Sequence, residues 1–412
     1  MLRKNQLWFV GRIRLLSTLV DMPAAHAAYM WKRGLCLWLV LVLLWGCAQA
    51  APLEAGTPVE LTSPSAILVE ADTGTVIFEK DADEKRQAAS ITKLMTALLC
   101  LEKIKAGEIA LADEIIISPE AAGQIGSQAL LDAGAAYALE TLLHATIIAS
   151  ANDAACAIAE HIAGSESGFA DLMNQRAQEL GMENTFYVNS TGLPDDGQYT
   201  TARDVALLAS EVCRHPEYLT HASMWMDTLT HPSGRTTDLT NTNRLVRFYE
   251  GCDGLKTGSA DVSKYCLAAT AQKNGLRLIA IVLGTPNSQT RFNEARAMLD
   301  YGFANYKRVT VLNKGDRLGK TVRVKLGLQD TVEAAAGRGM SMLIRPGQEK
   351  QLSLEVEIPQ EVQAPVKEGD TLGVVRVYLN GEIIAKLPAV AAASVKMPGI
   401  LEGFMKILES WR

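Results

Sequence analysis

Apolar residues recur at Ile91, Leu94, Met95, Leu98 and Leu101, the spacing of a helix that buries one side and runs to about Lys105. Ser90 opens it. Upstream, Ser65–Glu70 and Val76–Glu79 are short apolar runs around Asp72-Thr73-Gly74, which predicts a β-hairpin. A second helical region covers Leu139–Ile148 and Ala154–Ile162, broken by Ser150-Ala151-Asn152-Asp153 with Asp153 as the expected cap. Gly168–Leu180 reads as the next helix, stopped by Gly181. Thr201–Cys213 follows, capped by Thr200 or Thr201. The loop between them, Asn189 to Asp195, is dense in turn residues. Gly254–Ser259 introduces a β region in which Tyr265–Ala271 and Leu276–Leu283 flank the turn Lys273-Asn274-Gly275, and a helix over Ser288–Tyr306 closes the unit. This order predicts one α/β domain over residues 60–306.

Beyond it the period changes from helical to two. Thr321–Leu326, Leu352–Ile358 and Val374–Leu379 alternate apolar and polar residues, and Asn380-Gly381 turns the last into Glu382-Ile383-Ile384. A small all-β domain is expected over 307–390, with no catalytic constellation in it. The last stretch, 398–412, is helical again. Ile400, Leu401, Phe404, Met405, Leu408 and Trp411 form one broad face opposite Glu402, Lys406, Glu409 and Arg412. Fifteen residues rise only about 22 Å, so this helix suits a membrane surface and does not span it, packing on its own domain being the rival.

Composition adds direction. Residues 1–50 hold six Lys/Arg and one acid, leaving 34 basic against 45 acidic residues in the remainder, a balance that argues against nucleic acid as partner. Lys32-Arg33 precede an apolar run from Leu35 to Trp45, and Ala48-Gln49-Ala50 offers a cleavage point, so 1–50 reads as an extension and signal peptide of an exported protein. Met30 marks 1–29 as an upstream extension, and Leu44-Trp45-Gly46-Cys47 is a weaker, lipoprotein-like alternative. Of seven cysteines, five lie beyond this segment; no Cys-x-x-Cys occurs, so buried free thiols are the default and one pair such as Cys252 with Cys266 is the exception to test. No His-Glu-x-x-His is present, and no metal or cofactor is implied. Asn189-Ser190-Thr191 fits a glycosylation acceptor, a pattern too common by chance to weigh.

The candidate chemistry starts at Ser90. Lys93 lies three residues on, hence on the same helical face, where an amine can stand beside a hydroxyl near the positive helix end. That is a nucleophile with a proton acceptor in one turn. Alone the pair is weak, because serine caps helices and lysine decorates them. Ser150-Ala151-Asn152 and Lys256-Thr257-Gly258 follow in order, and the three together match a serine acyl-transfer set.

Ala89-Ser90-Ile91-Thr92-Lys93-Leu94-Met95-Thr96, Asn189-x-x-Gly192-Leu193-Pro194 and Asp253-Gly254-Leu255-Lys256-Thr257-Gly258 together resemble the low-molecular-mass penicillin-binding proteins, the D-alanyl-D-alanine carboxypeptidases. The resemblance covers 60–390 and implies an α/β (α+β) penicilloyl-serine-transferase fold, β-lactamase-like, with an antiparallel sheet between helical layers. It also implies roles: Ser90 as acylated nucleophile, Lys93 as its proton acceptor and Ser150 as relay to the leaving amine. Asn152 would hold the substrate amide, Lys256 and Thr257 the terminal carboxylate, and Gly258 would admit the substrate to the strand edge. The backbone N–H groups of Ser90 and Ser259 would form the oxyanion hole. The implied partners are peptidoglycan stem peptides, β-lactams and, through the tail, the membrane surface. Ala88 stands where relatives have proline, and Ser259-Ala260 where many have His-Thr, which removes hydrogen-bonding side chains near the carboxylate site. Two rivals are a β-lactamase, for which Glu183-Asn184-Thr185 is a poor deacylating loop, and a non-catalytic penicillin-sensing or wall-binding module.

Overall fold

A computed structural model describes residues 59–403 and 405. The extension, the signal peptide and most of the terminal amphipathic helix lie outside the described residues, although 400–403 are helical.

The hairpin forms where expected, as β1 (Ser65–Glu70) and β2 (Val76–Lys80). A 3-10 turn over Ala89–Thr92 then leads into α1 (Lys93–Lys105). Ser90 is therefore inside a tight entry turn, and Lys93 begins the α-helix. β3 (Glu114–Ile116) and β4 (Ala136–Ala138) make a small ribbon before α2 (Leu139–Ile148), α3 (Asn152–Ala163) and α4 (Glu166–Glu179). The cap expected at Asp153 is corrected: Ala151 precedes the helix, and Asp153 in its first turn accepts from the Ala129 and Leu131 N–H groups at 2.9 and 3.1 Å. Of the two threonines, Thr201 caps α5 (Ala202–Val212), accepting from Asp204 N–H. α6 (Pro216–Ala222), the polar hairpin β5 (Met226–Thr230) with β6 (Thr236–Thr240), and α7 (Leu245–Phe248) fill a region that shows little periodicity in sequence.

β7 (Cys252–Ala260), β8 (Lys264–Lys273) and β9 (Leu276–Thr285) complete a five-stranded antiparallel sheet in the order β2-β1-β9-β8-β7, and α8 (Ser288–Asn305) closes the unit. Strand periodicity divides two cores. Ile279, Ile281 and Leu283 of β9 face one with α1, α2, α3 and α5; Leu278, Ala280 and Val282 face the other with α8. Burial of a strand on both faces explains its unbroken apolar run.

The remaining strands are β10 (Lys307–Leu312), β11 (Arg317–Lys325), β12 (Thr331–Ala336), β13 (Met340–Ile344), β14 (Leu352–Glu357), β15 (Glu361–Gln363), β16 (Thr371–Leu379) and β17 (Glu382–Ala391). Six of them form the sheet β14-β16-β17-β12-β11-β15, while β10 pairs with β13. The five described cysteines are free thiols, four of them buried, so Cys252 and Cys266 are not bridged.

Candidate active site

β7 is an edge strand, and its unpaired side faces the Ser90 turn. The approach is close: a Cβ at Gly258 would stand 2.3 Å from the Ala88 carbonyl oxygen. Only a residue without a side chain fits there. Asp253 at the start of β7 is gripped by both Nη groups of Arg277 on β9, each at 2.7 Å, which fixes the strand that carries Lys256, Thr257, Gly258 and Ser259. Ser259 is exposed, and its N–H lies beyond the buried run of the strand.

Lys93 is almost fully buried, whereas Ser90 is half-exposed. The lysine Nζ lies 3.2 Å from Ser90 Oγ, 2.5 Å from Asn152 Oδ1 and 2.6 Å from the Thr191 carbonyl oxygen. Asn152 is oriented by its other end, where Nδ2 donates to the Ile125 carbonyl at 2.5 Å. Burial, then the nearby charge of Lys256, push the Lys93 pKa well below the ordinary lysine range; Glu166 and Asp153 oppose that shift. The three contacts then have distinct meanings. A neutral amine has two N–H bonds and one lone pair; the Asn152 and Thr191 oxygens can only accept, so they take the two N–H groups and leave the lone pair for the Ser90 hydroxyl.

Lys256 is also buried, and its pKa falls to about 7 through burial and the charge of Arg291. Arg291 on α8 donates to the Gly258 carbonyl at 3.0 Å from behind the strand. The Thr257 hydroxyl meets that of Thr242 at 2.6 Å. Ser150 is buried with φ 62° in the link between α2 and α3, two residues before Asn152. Its hydroxyl makes no hydrogen bond to Ser90 or Lys93 among the described residues, so its placement here follows from the backbone.

The structure adds groups that the sequence reading did not assign. The loop after α4 closes on itself through Asn189, whose Oδ1 accepts from Gly192 N–H at 2.7 Å and whose Nδ2 donates to the Leu193 carbonyl at 3.1 Å. The loop thereby presents the Thr191 carbonyl to Lys93. Gly192 has φ 77°, and a Cβ there would come within 2.1 Å of the Ala89 carbonyl oxygen. Ser190, pinned by Glu166 and Thr96, holds the loop to α4 and α1. The Asn189-x-x-Gly192 spacing was the available signal for this loop, but nothing in sequence tied it to Lys93.

Two family models match the chain: the D-alanyl-D-alanine carboxypeptidase model over residues 51–287, and the penicillin-binding protein 5 C-terminal domain model over 306–397. The chain belongs to the D-alanyl-D-alanine carboxypeptidase family. It is 35% identical to the carboxypeptidase DacF of Bacillus subtilis (strain 168), covering 84% of this chain and 89% of that one, and 32% identical to DacC of Escherichia coli (strain K12), covering 89% and 92%. Crystal structures of penicillin binding protein 5 from Haemophilus influenzae superpose with a TM-score of 0.71 at 29% identity, over 83% of this chain and all of theirs. The fold of this family member is thus the mixed α/β penicillin-binding type with an added all-β domain.

Proposed function

We propose that Ser90 is the nucleophile with which this serine-type D-alanyl-D-alanine carboxypeptidase removes the terminal D-Ala of peptidoglycan stem peptides. The observation that carries the assignment is the buried, deprotonatable Lys93 with its nitrogen 3.2 Å from the Ser90 oxygen. Ser90 Oγ attacks the carbonyl carbon of the penultimate D-Ala as its proton passes to Lys93 Nζ. The oxyanion so formed is stabilised by the Ser90 and Ser259 backbone N–H groups. Collapse breaks the C–N bond; the proton returns to the leaving amine by way of Ser150, and free D-Ala departs. Water then attacks the acyl-Ser90 ester, Lys93 again taking a proton, and releases the shortened peptide. Lys256 and Thr257 receive the terminal carboxylate, and Gly258 lets the peptide lie along the β7 edge. Asn152 holds Lys93 and stands beside the substrate amide. β-Lactams acylate the same serine.

Mass spectrometry of muropeptides incubated with residues 51–412 tests this directly. Loss of one D-Ala from pentapeptide stems, together with fluorescent-penicillin labelling that disappears in Ser90→Ala, is expected. Retained labelling in that variant would remove Ser90 from the mechanism, and penicillin turnover without D-Ala release would favour a β-lactamase.

The finer localisation belongs to the same reading: export through a signal peptide ending at Ala50, a catalytic unit over 60–306, an all-β unit over 307–390, and attachment of 398–412 to the outer face of the cytoplasmic membrane. The high exposure of Ile400 and Leu401 supports that attachment. No helix among the described residues is long and apolar enough to cross a membrane. Release of the protein from membranes on deletion of 398–412 is the expected outcome.

A further inference from the structure

The body of this chain is acidic, yet arginines gather behind β7. Between α7 and α8 lies a cavity of about 440 Å3, lined by Arg244, Phe248, Gln289, Phe292, Asn293 and Arg296, with Leu245 beneath them and no acid among the lining residues. Arg296 uses one N–H on the Phe248 carbonyl at 2.9 Å and rests against the Tyr249 ring, which aims its planar group along the wall. The Arg244 carbonyl accepts from the Arg247 and Phe248 N–H groups, but its side chain is exposed and makes no hydrogen bond or ion pair among the described residues. Gln289 donates to Asn293 Oδ1 at 2.9 Å, leaving the Asn293 amide N–H groups to donate.

Two guanidinium groups lining one cavity repel each other; nearby, the Arg291 pKa is lowered to about 10 chiefly by burial, with the charge of Arg244 a smaller contribution. An oxyanion between the two lining groups removes their repulsion, and guanidinium forks match carboxylate and phosphate oxygens two at a time. The ring of Phe248 gives the carbon chain next to such an anion an apolar surface.

The cavity and the candidate active site share their supports. Arg244 follows two residues after Thr242, whose hydroxyl meets Thr257. Phe292 follows Arg291, which holds the Gly258 carbonyl. The two sites are thus tied to the same strand, β7, by the chain segments that carry their side chains.

We propose that the Arg244–Arg296 cavity is a second binding site for an oxyanion of the cell-wall polymer, used to hold that polymer while Ser90 acts on one stem. The chemistry fits either a stem-peptide carboxylate or a phosphate ester. This inference rests on wall peptides being the substrate, but the binding step itself does not involve Ser90.

The test uses the full exported chain carrying Ser90→Ala, which binds without turnover, sedimented with insoluble purified wall. Adding Arg244→Ala or, separately, Arg244→Glu should weaken retention about five-fold or more, as expected for loss of a partly exposed charge-assisted contact, and retention by the parent should fall with salt. Walls stripped of phosphodiester polymers with hydrofluoric acid, and walls with amidated carboxylates, identify the source: the treatment that abolishes the difference names the anion. With Ser90 intact, Arg244→Ala should raise KM on polymeric wall several-fold while penicillin still labels Ser90. Equal retention of parent and both variants overturns the proposal, as does a difference that survives both chemical treatments. Failure of the Ser90 assignment would instead appear as unlabelled Ser90 with retention unaffected.

Discussion

The two main sheets bury their residues in opposite ways. In β8 and β9 six consecutive residues of each strand are buried, because helices cover both faces. In β14 none is fully buried, and β17 alternates buried and partly exposed positions only in its second half. The covered sheet divides its side chains between two large cores; the C-terminal sheet packs two small ones. Only the first arrangement can take two lysines out of water. Lys93 and Lys256 are both about 1% exposed and both shifted down by burial, whereas the lysines of the C-terminal sheet, Lys386 among them, sit at the surface. Among the described residues, buried lysines with lowered pKa therefore occur in one region and not in the other, for the same reason that their sequence patterns differ.

The sharpest way to break this contrast is to remove one lysine from each region. Lys93→Met should lower kcat for D-Ala release about 10^3-fold, the scale of a lost general base, while Lys386→Met should leave it within a factor of two. Comparable losses in both would mean that burial is not what equips the site. Next comes stability. Ile281→Ala empties a fully buried position and should cost about 2–5 kcal/mol in denaturant unfolding, whereas Leu354→Ala, at a position 44% exposed, should cost under about 1 kcal/mol. Similar values would show that the C-terminal sheet is covered in solution.

The smallest effect is in pH. Lys93 must be neutral to accept a proton, so activity falls as pH drops through its lowered pKa. Lys256 must be charged to hold a carboxylate, so kcat/KM should also fall above about 7, and a bound carboxylate should move the corresponding limb of kcat upward. Lys256→Arg, which cannot lose its proton in this range, should flatten the alkaline limb. The sign for stability is opposite. Between about 7 and the ordinary lysine range the unfolded chain holds the extra proton, so the penalty of burying Lys256 is full below about 7 and is relieved as pH rises. An alkaline limb unchanged by Lys256→Arg would assign it to another group.

Much of the fold was legible because its elements are periodic. The β1–β2 hairpin, α1, α2, α5, the strands β8 and β9 and the closing helix α8 all follow from apolar spacing and turn residues. The cap at Asp153 was misread because a side chain accepting from distant N–H groups leaves the same local signal as a cap. The β5–β6 hairpin was missed because only one residue in each strand, Leu229 and Leu239, is buried, too few to make a pattern.

By itself the sequence determined the candidate residues for the chemistry and their order: a serine and lysine one helical turn apart, a serine and asparagine between two helices, and a lysine on a strand. Spacing along a chain, however, sets only local neighbours. That Asn152 and the Thr191 carbonyl occupy the two N–H bonds of Lys93, and that Arg291 stands behind Gly258, depended on segments 33 to 98 residues apart being folded together. The lowered pKa of Lys93 comes from burial and then from the charge of Lys256, which exist only in the packed molecule.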